Sequence, residues 1–193
     1  MIFATGIGLP ASAGSPTFEW AVPSSVGVFP NFLASDSSGN IYATDLSNNS
    51  VWKFSADGTY VTKWGSTGTV SGKFDNPMGI AVNPANGNVY VVDKWNNRTQ
   101  VFTSAGAYVT QWGTTGTGNS QFRLPCGVAV NSTGYVYVVD SFNNRTQVFS
   151  DSGAYVTQWG EGGSGNGQFN RPYGLAVNST GYVYITDFVN NRT

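Results

Sequence analysis

The sequence predicts an all-β chain built from repeated four-stranded antiparallel units. Three observations carry this. First, a short β-rich block ending in aspartate recurs as Asn40–Asp45, Asn88–Asp93, Tyr135–Asp140 and Tyr182–Asp187, with Tyr42, Tyr90, Tyr137 and Tyr184 spaced 48, 47 and 47 residues apart. Second, three further markers keep the same order and period: Asn-Asn-(Ser/Arg) at 48–50, 96–98, 143–145 and 190–192; Trp-Gly at 64–65, 112–113 and 159–160; and Phe-x-x-Pro-x-Gly from Phe74, Phe122 and Phe169. Third, no window shows helical periodicity. Fixed order at one period is the signature of a repeat architecture.

Each period reads as four strands. In the second copy, strand a is Gly79–Val82, entered through Pro77; strand b is Val89–Val92; strand c is Thr99–Phe102; strand d is Tyr108–Trp112. β-Branched and aromatic residues dominate all four, as pleated and buried surfaces favour. Turn residues fall between them: Asn86-Gly87, Thr133-Gly134 and Thr180-Gly181 separate a from b, and Asp57-Gly58, Ala105-Gly106 and Ser152-Gly153 separate c from d. Glycine supplies the positive φ that such turns require. Strands a and b are apolar in continuous runs, which predicts burial on both faces rather than a sheet with one wet side.

Units of about 47 residues with doubly buried sheets suit β-propeller blades, stacked face to face around an axis with strand a innermost and strand d outermost. In that arrangement the d–a and b–c loops share one face of the disc, and the a–b and c–d turns share the other.

The combined pattern, Gln-Phe-x-x-Pro-x-Gly-(Ile/Val/Leu)-Ala-Val followed by Val-Tyr-Val-Val-Asp-x-x-Asn-Asn-Arg-x-Gln-Val-Phe, resembles the NHL repeat of bacterial and archaeal propellers and of TRIM-NHL proteins. It covers roughly residues 17–193. Asn97, Asn144 and Asn191 stand at or beside the name-giving histidine. The first copy departs most: Ser50 replaces arginine, and Asn31-Phe32-Leu33-Ala34 stands for Gly-Ile-Ala-Val. The resemblance implies a six-bladed ring, for which 47-residue periods need about 280 residues. The 193 residues are therefore expected to be a fragment of such a ring, with repeats at about 31–76, 77–124, 125–171 and, in part, 172–193. The alternative is a closed four-bladed ring, in which residues 2–10 supply a strand c and Thr17–Trp20 a strand d. An array left open exposes sheet edges, so self-association is expected of it. Residues 1–16 form a separate N-terminal segment, read either as an extra strand or as the remnant of a signal peptide, because Ala11-Ser12-Ala13 has the small-residue pattern of a cleavage site. No stretch has the ~18 apolar residues of a membrane span. Low charge and abundant Ser, Thr and Asn point to an extracellular or cell-envelope location, with the cytoplasm as the alternative.

Composition narrows the function classes. The chain has no histidine, which removes histidine-based acid–base catalysis, Ser-His-Asp triads and His-dependent metal sites among these residues. The single cysteine, Cys126, excludes an intrachain disulfide and a Cys-cluster zinc site; it reads as a small buried residue at the axis, beside Met78 and Tyr173. With 9 basic and 10 acidic residues, nucleic acid is not an expected partner. The Gly-rich segment 160–167 lacks the Lys-Ser/Thr and the helix of a phosphate loop. No cofactor or metal is expected.

Residues identical in every copy are read as structural: Asp45, Asp93, Asp140 and Asp187, which can cap the following turn or pair with Arg98, Arg145 and Arg192. A calcium-binding ring of these aspartates is the competing reading. Trp64, Trp112 and Trp159 are read as packing between blades rather than as sugar platforms. The Asn-x-Ser/Thr sequons at 48, 97, 131, 144, 178 and 191 fall in the repeating turns. Function is expected where the repeat varies, in the b–c loops and the adjoining d–a loops. Trp95, Phe142 and Phe188, with Lys94, Arg123 and Arg171, are the candidate binding residues, and the ligand class is a protein or a polysaccharide. This makes the chain a non-catalytic interaction scaffold. Amidating lyases, lactonases and streptogramin lyases among similar propellers supply the alternative, a piece of an enzyme whose catalytic residues lie outside this chain; RNA binding, known for some TRIM-NHL domains, is the second.

Overall fold

A computed structural model describes residues 27–193. The N-terminal segment 1–16 and the strand expected at Thr17–Trp20 lie outside the described residues. The first blade is β1 (Pro30–Ser35), β2 (Ile41–Asp45), β3 (Ser50–Phe54) and β4 (Tyr60–Trp64). The second is β5 (Pro77–Val82), β6 (Val89–Asp93), β7 (Arg98–Phe102) and β8 (Tyr108–Trp112). A short parallel pair, β9 (Thr114–Thr115) and β10 (Gln121–Phe122), precedes the third blade, which is β11 (Val128–Val130), β12 (Val136–Asp140), β13 (Arg145–Phe149) and β14 (Tyr155–Trp159). A second parallel pair, β15 (Glu161–Gly162) and β16 (Gln168–Phe169), leads to β17 (Pro172–Val177) and β18 (Val183–Asp187) of the fourth blade. Three sheets are four-stranded meanders in chain order, and every pair within the blades is antiparallel.

Burial grades outward as the apolar patterning predicts. All five residues of β6 and of β7 are buried, whereas β8 alternates exposed and half-buried residues along the rim. The parallel pairs in the d–a loops have no counterpart in the expected strands. They arise because each loop doubles back so that Gln121-Phe122 can lay Phe122 in the core beneath Phe149.

Neighbouring blades meet through apolar side chains and, at the axis, through backbone. One core cluster joins Tyr90, Val92 and Val101 of the second blade to Val136, Val138 and Phe149 of the third; another joins Tyr42 and Val51 to Ile80, Val91 and Phe102. The Gly79 N–H donates to the Cys126 carbonyl at 2.8 Å. A Cβ on Gly79 would stand 2.6 Å from that oxygen, so the innermost strands can approach this closely only through glycine. Gly127 repeats the contact against the Tyr173 carbonyl.

The outer tryptophans fill the wedge between blades. Trp64 packs on Tyr42 of its own blade and on Phe102 of the next, and Trp112 packs likewise on Tyr90 and Phe149. Large aromatic faces suit this widening gap, because blades diverge with distance from the axis.

Strand register corrects one alignment. Pro30 pairs with Asp45 as Pro77 pairs with Asp93, and Leu33 pairs with Ala43 as Ile80 pairs with Val91. Phe32, and not Asn31, therefore occupies the position of Gly79. Its ring centroid lies 6.0 Å from that of Tyr173, a contact between side chains of the first and fourth innermost strands.

Candidate functional site

The b–c turns and d–a loops form one face, fixed by backbone hydrogen bonds between them. Trp95 N–H donates to the Asp75 carbonyl, Phe142 N–H to Arg123, and Val189 N–H to Asn170. These three bonds define equivalent positions. Counting from the strand-b aspartate, the inner slot holds Leu46, Lys94, Ser141 and Phe188, and the outer slot holds Ser47, Trp95, Phe142 and Val189. Phe188 is therefore the register mate of Lys94, not of Trp95 and Phe142; its ring turns to Tyr173, 6.2 Å away. Val189 completes the outer set and was not apparent from aromatic identity alone.

Beneath this face lies a polar clamp. Asp93 Oδ2 accepts from Arg98 Nε at 2.7 Å, from Asn96 Nδ2 at 2.9 Å and from Gln100 Nε2 at 3.1 Å, while Oδ1 accepts from the Asp75 N–H at 2.7 Å. Arg98 then donates to the carbonyls of Thr69, Val70 and Lys73, and Gln100 to that of Lys73. One buried cluster thus pins the d–a loop to strands b and c of the blade it enters. Asp140, Arg145 and Gln147 repeat the clamp on Gly118 and Gln121. Asp187 and Arg192 repeat it in the fourth blade, with Arg192 reaching Ser164, Gly165 and Gln168. The first blade has no arginine. There Asp45 accepts from the Ser47 and Asn48 N–H groups and the Asn48 side chain, and Ser50 instead accepts from Trp52 Nε1. The glutamine two residues after Arg98 and Arg145 was legible as part of the repeat, but its loop-holding role was not.

Burial pushes the Asp93 and Asp140 carboxyls above the usual carboxylate range, against the pull of the N–H donors and of the arginines. In the more open fourth blade burial still pushes Asp187 up, but the Asn170 N–H, the Asn190 side chain and Arg192 outweigh it and hold the carboxyl below that range. Among the described residues no three of Cys, Asp and Glu converge as metal ligands. Cys126 is buried, and burial pushes its thiol up, while the nearby Lys94 ammonium pulls the other way.

The remaining candidates lie above the clamp. Trp95 is 57% exposed, Phe142 38% and Phe188 68%. The Arg171 guanidinium lies over the Phe142 ring, 4.7 Å from its centroid. This cation–π contact crosses from the loop entering the fourth blade to the b–c turn of the third. Arg123 is exposed and Lys94 half-buried. Among the described residues the ion pairs are those of Arg98, Arg145 and Arg192; Lys94, Arg123 and Arg171 take part in none. Several sequon asparagines are engaged in the fold, since Asn97 Nδ2 donates to Thr115 Oγ1 and Asn131 Nδ2 to Tyr137 OH.

Four-stranded meanders around a common axis, each d–a loop clamped to the next blade, define a β-propeller. Family models match parts of the chain: the NHL repeat matches residues 28–54 and 74–102, and a family described as a 6-bladed beta-propeller matches residues 128–193. The chain carries NHL repeats and is a β-propeller protein. No curated protein matches it in sequence. Among solved structures it is similar to a streptogramin B lyase (TM-score 0.64, 19% identity, 82% of this chain and 48% of that one). It is also similar to virginiamycin B lyase from Staphylococcus aureus (TM-score 0.62, 16% identity, 82% and 48%) and to a chain of a nidogen/laminin complex (TM-score 0.59, 20% identity, 78% and 53%). The chain spans about half the length of these neighbours. At these identities the likeness is one of fold.

Proposed function

We propose that the chain is a non-catalytic propeller scaffold that binds a protein or a polysaccharide through the face made by its b–c and d–a loops. The observation that carries this reading is the contrast between two layers of that face. The lower layer is repeated from blade to blade and spends its polar atoms on holding loops. The upper layer varies, and it sets Trp95, Phe142 and Phe188 at the surface beside three cations without ion-pair partners among the described residues. Exposed aromatic groups with unpaired charge mark contact surfaces. The strand-b aspartates have their oxygens taken up by fixed donors, which supports structural duty over acid–base work.

The test is binding of the full chain to glycan arrays and to immobilised cell-envelope fractions, with Trp95→Ala and Phe142→Ala as paired variants. Loss of the captured ligand in both variants, with unchanged thermal unfolding, is the expected result. Capture that is indifferent to both substitutions would remove this face from consideration. A chain that instead acted on a streptogramin B substrate would move the reading to the lyase alternative.

A further inference from the structure

The two faces of the disc differ in charge. The a–b and c–d turns contain Asp36, Asp57 and Asp151 and no lysine or arginine. The b–c/d–a face contains Lys73, Lys94, Arg123 and Arg171 against Asp75 and Glu161, and Glu161 already accepts from Gln168 Nε2. Of the six lysines and arginines outside the ion pairs, Lys73, Lys94, Arg123 and Arg171 lie on the face that carries the exposed aromatics, while Lys53 donates to the Ser104 carbonyl of a c–d turn and Lys63 lies over Trp52.

We infer that the ligand of this face is an acidic polysaccharide, a chain of uronic-acid sugars. The inference deepens the binding role proposed above and rests on it. Trp95 and Phe142 occupy the same outer slot on adjacent blades; Trp95 offers an exposed aromatic surface, and Phe142 carries the Arg171 guanidinium over its ring. A pyranose ring offers a flat C–H face to such a surface. Its carboxylate, recurring along the polymer, matches a planar guanidinium, which binds carboxylates bidentately. Arg171 is already held over the Phe142 ring, so less freedom remains to be lost when it binds. Lys94 and Arg123 extend the cationic track toward the axis and toward the preceding loop. An acidic peptide would satisfy the cations but offers no flat apolar faces to the aromatics. A nucleic acid would need more phosphate contacts than these four cations provide.

The experiment is titration calorimetry of the full chain with oligogalacturonate, with neutral dextran, polyglutamate and poly(U) as comparison ligands. Oligogalacturonate is expected to bind, with affinity falling as salt rises. Arg171→Ala is expected to weaken it by about tenfold or more, on the scale of a charge-assisted hydrogen bond, and Trp95→Ala by about tenfold, on the scale of a lost aromatic stacking contact. Both side chains lie at the surface, and circular dichroism confirms that the variants fold. Equal binding of polyglutamate or poly(U) would overturn the inference, because charge alone would then suffice. So would failure of oligogalacturonate to bind. If dextran or an envelope protein binds in a Trp95-dependent way while oligogalacturonate does not, the acidic-sugar inference fails and the binding face stands. If no binding depends on Trp95 or Phe142, both fail.

Discussion

The Leu124 N–H donates to Asn97 Oδ1 at 2.8 Å, and both residues hold left-handed backbone, with φ of 48° and 51°. The bond joins the b–c turn of one blade to the loop entering the next, and it recurs as Asn76 to Asn49 and Arg171 to Asn144. Asparagine is the side chain best suited to the position, because it tolerates this region and brings an acceptor. Asn97→Gly is expected to keep the turn and lose about 1 kcal/mol with the bond. Asn97→Ala should lose roughly a further 1 kcal/mol to the left-handed conformation. Urea unfolding of the two variants separates these effects, and equal losses would show that the conformation is not strained.

The arginine clamps should differ in weight. Arg98 and Arg145 are buried against their aspartates, while the Arg192 side chain is 35% exposed. Arg145→Ala strands a buried carboxylate and is expected to cost about 3–5 kcal/mol. Arg192→Ala leaves solvent within reach and should cost far less. Chemical denaturation gives both numbers, and similar values for the two would refute burial as the deciding factor.

Proton binding should follow the same division. A carboxyl raised in the folded state holds its proton more tightly there. Asp93 and Asp140 therefore contribute stability that is present at low pH and lost as pH rises from about 3.8 through their folded values. Asp187 is lowered, so its contribution is present above 3.8 and lost as pH falls through its folded value. Carboxyl-carbon NMR titration is expected to place Asp93 and Asp140 above Asp187. The reverse order would show that the donors outweigh burial in all three blades.

Two hydroxyls offer a gain. Thr99 Oγ1 and Thr146 Oγ1 are buried with no hydrogen-bond partner, and the first blade has Val51 at the same register position. An unpaired buried hydroxyl costs on the order of 1–3 kcal/mol. Thr99→Val and Thr146→Val are expected to raise the melting temperature by a few degrees each, about 2–4 °C per kcal/mol for a domain of this size. A fall in either variant would mean the hydroxyl finds a partner in solution.

Much of the fold was legible because its signals are local and repeated. Strand b could be read from its unbroken apolar run, and the c–d turn from glycine at Gly58, Gly106 and Gly153, all with positive φ. The candidate face was legible less completely. Trp95, Phe142 and Phe188 group together by aromatic character, yet slot is set by distance from the strand-b aspartate, and Phe188 stands one residue nearer to it than the other two. Matching Phe32-Leu33-Ala34 to Ile-Ala-Val by apolar character sets Phe32 one position late; counting from the proline that pairs with the strand-b aspartate places it at the glycine, because the irregularity between Pro30 and Leu33 recurs between Pro77 and Ile80. The grip of Gln100 on Lys73 joins residues 27 apart, beyond the reach of any local pattern.

The substitutions of the first blade have a consequence for assembly. Near-identical modules can dock one period out of place at small energetic penalty, a characteristic failure of repeat arrays. Phe32 cannot stand in for a glycine whose Cβ site lies within 2.6 Å of a neighbouring carbonyl, and Ser50 cannot grip a loop as Arg98 does. A first blade slipped into the second position would collide at the axis and leave its loop unheld. These two residues therefore act as an index mark, from which the order of the blades is counted.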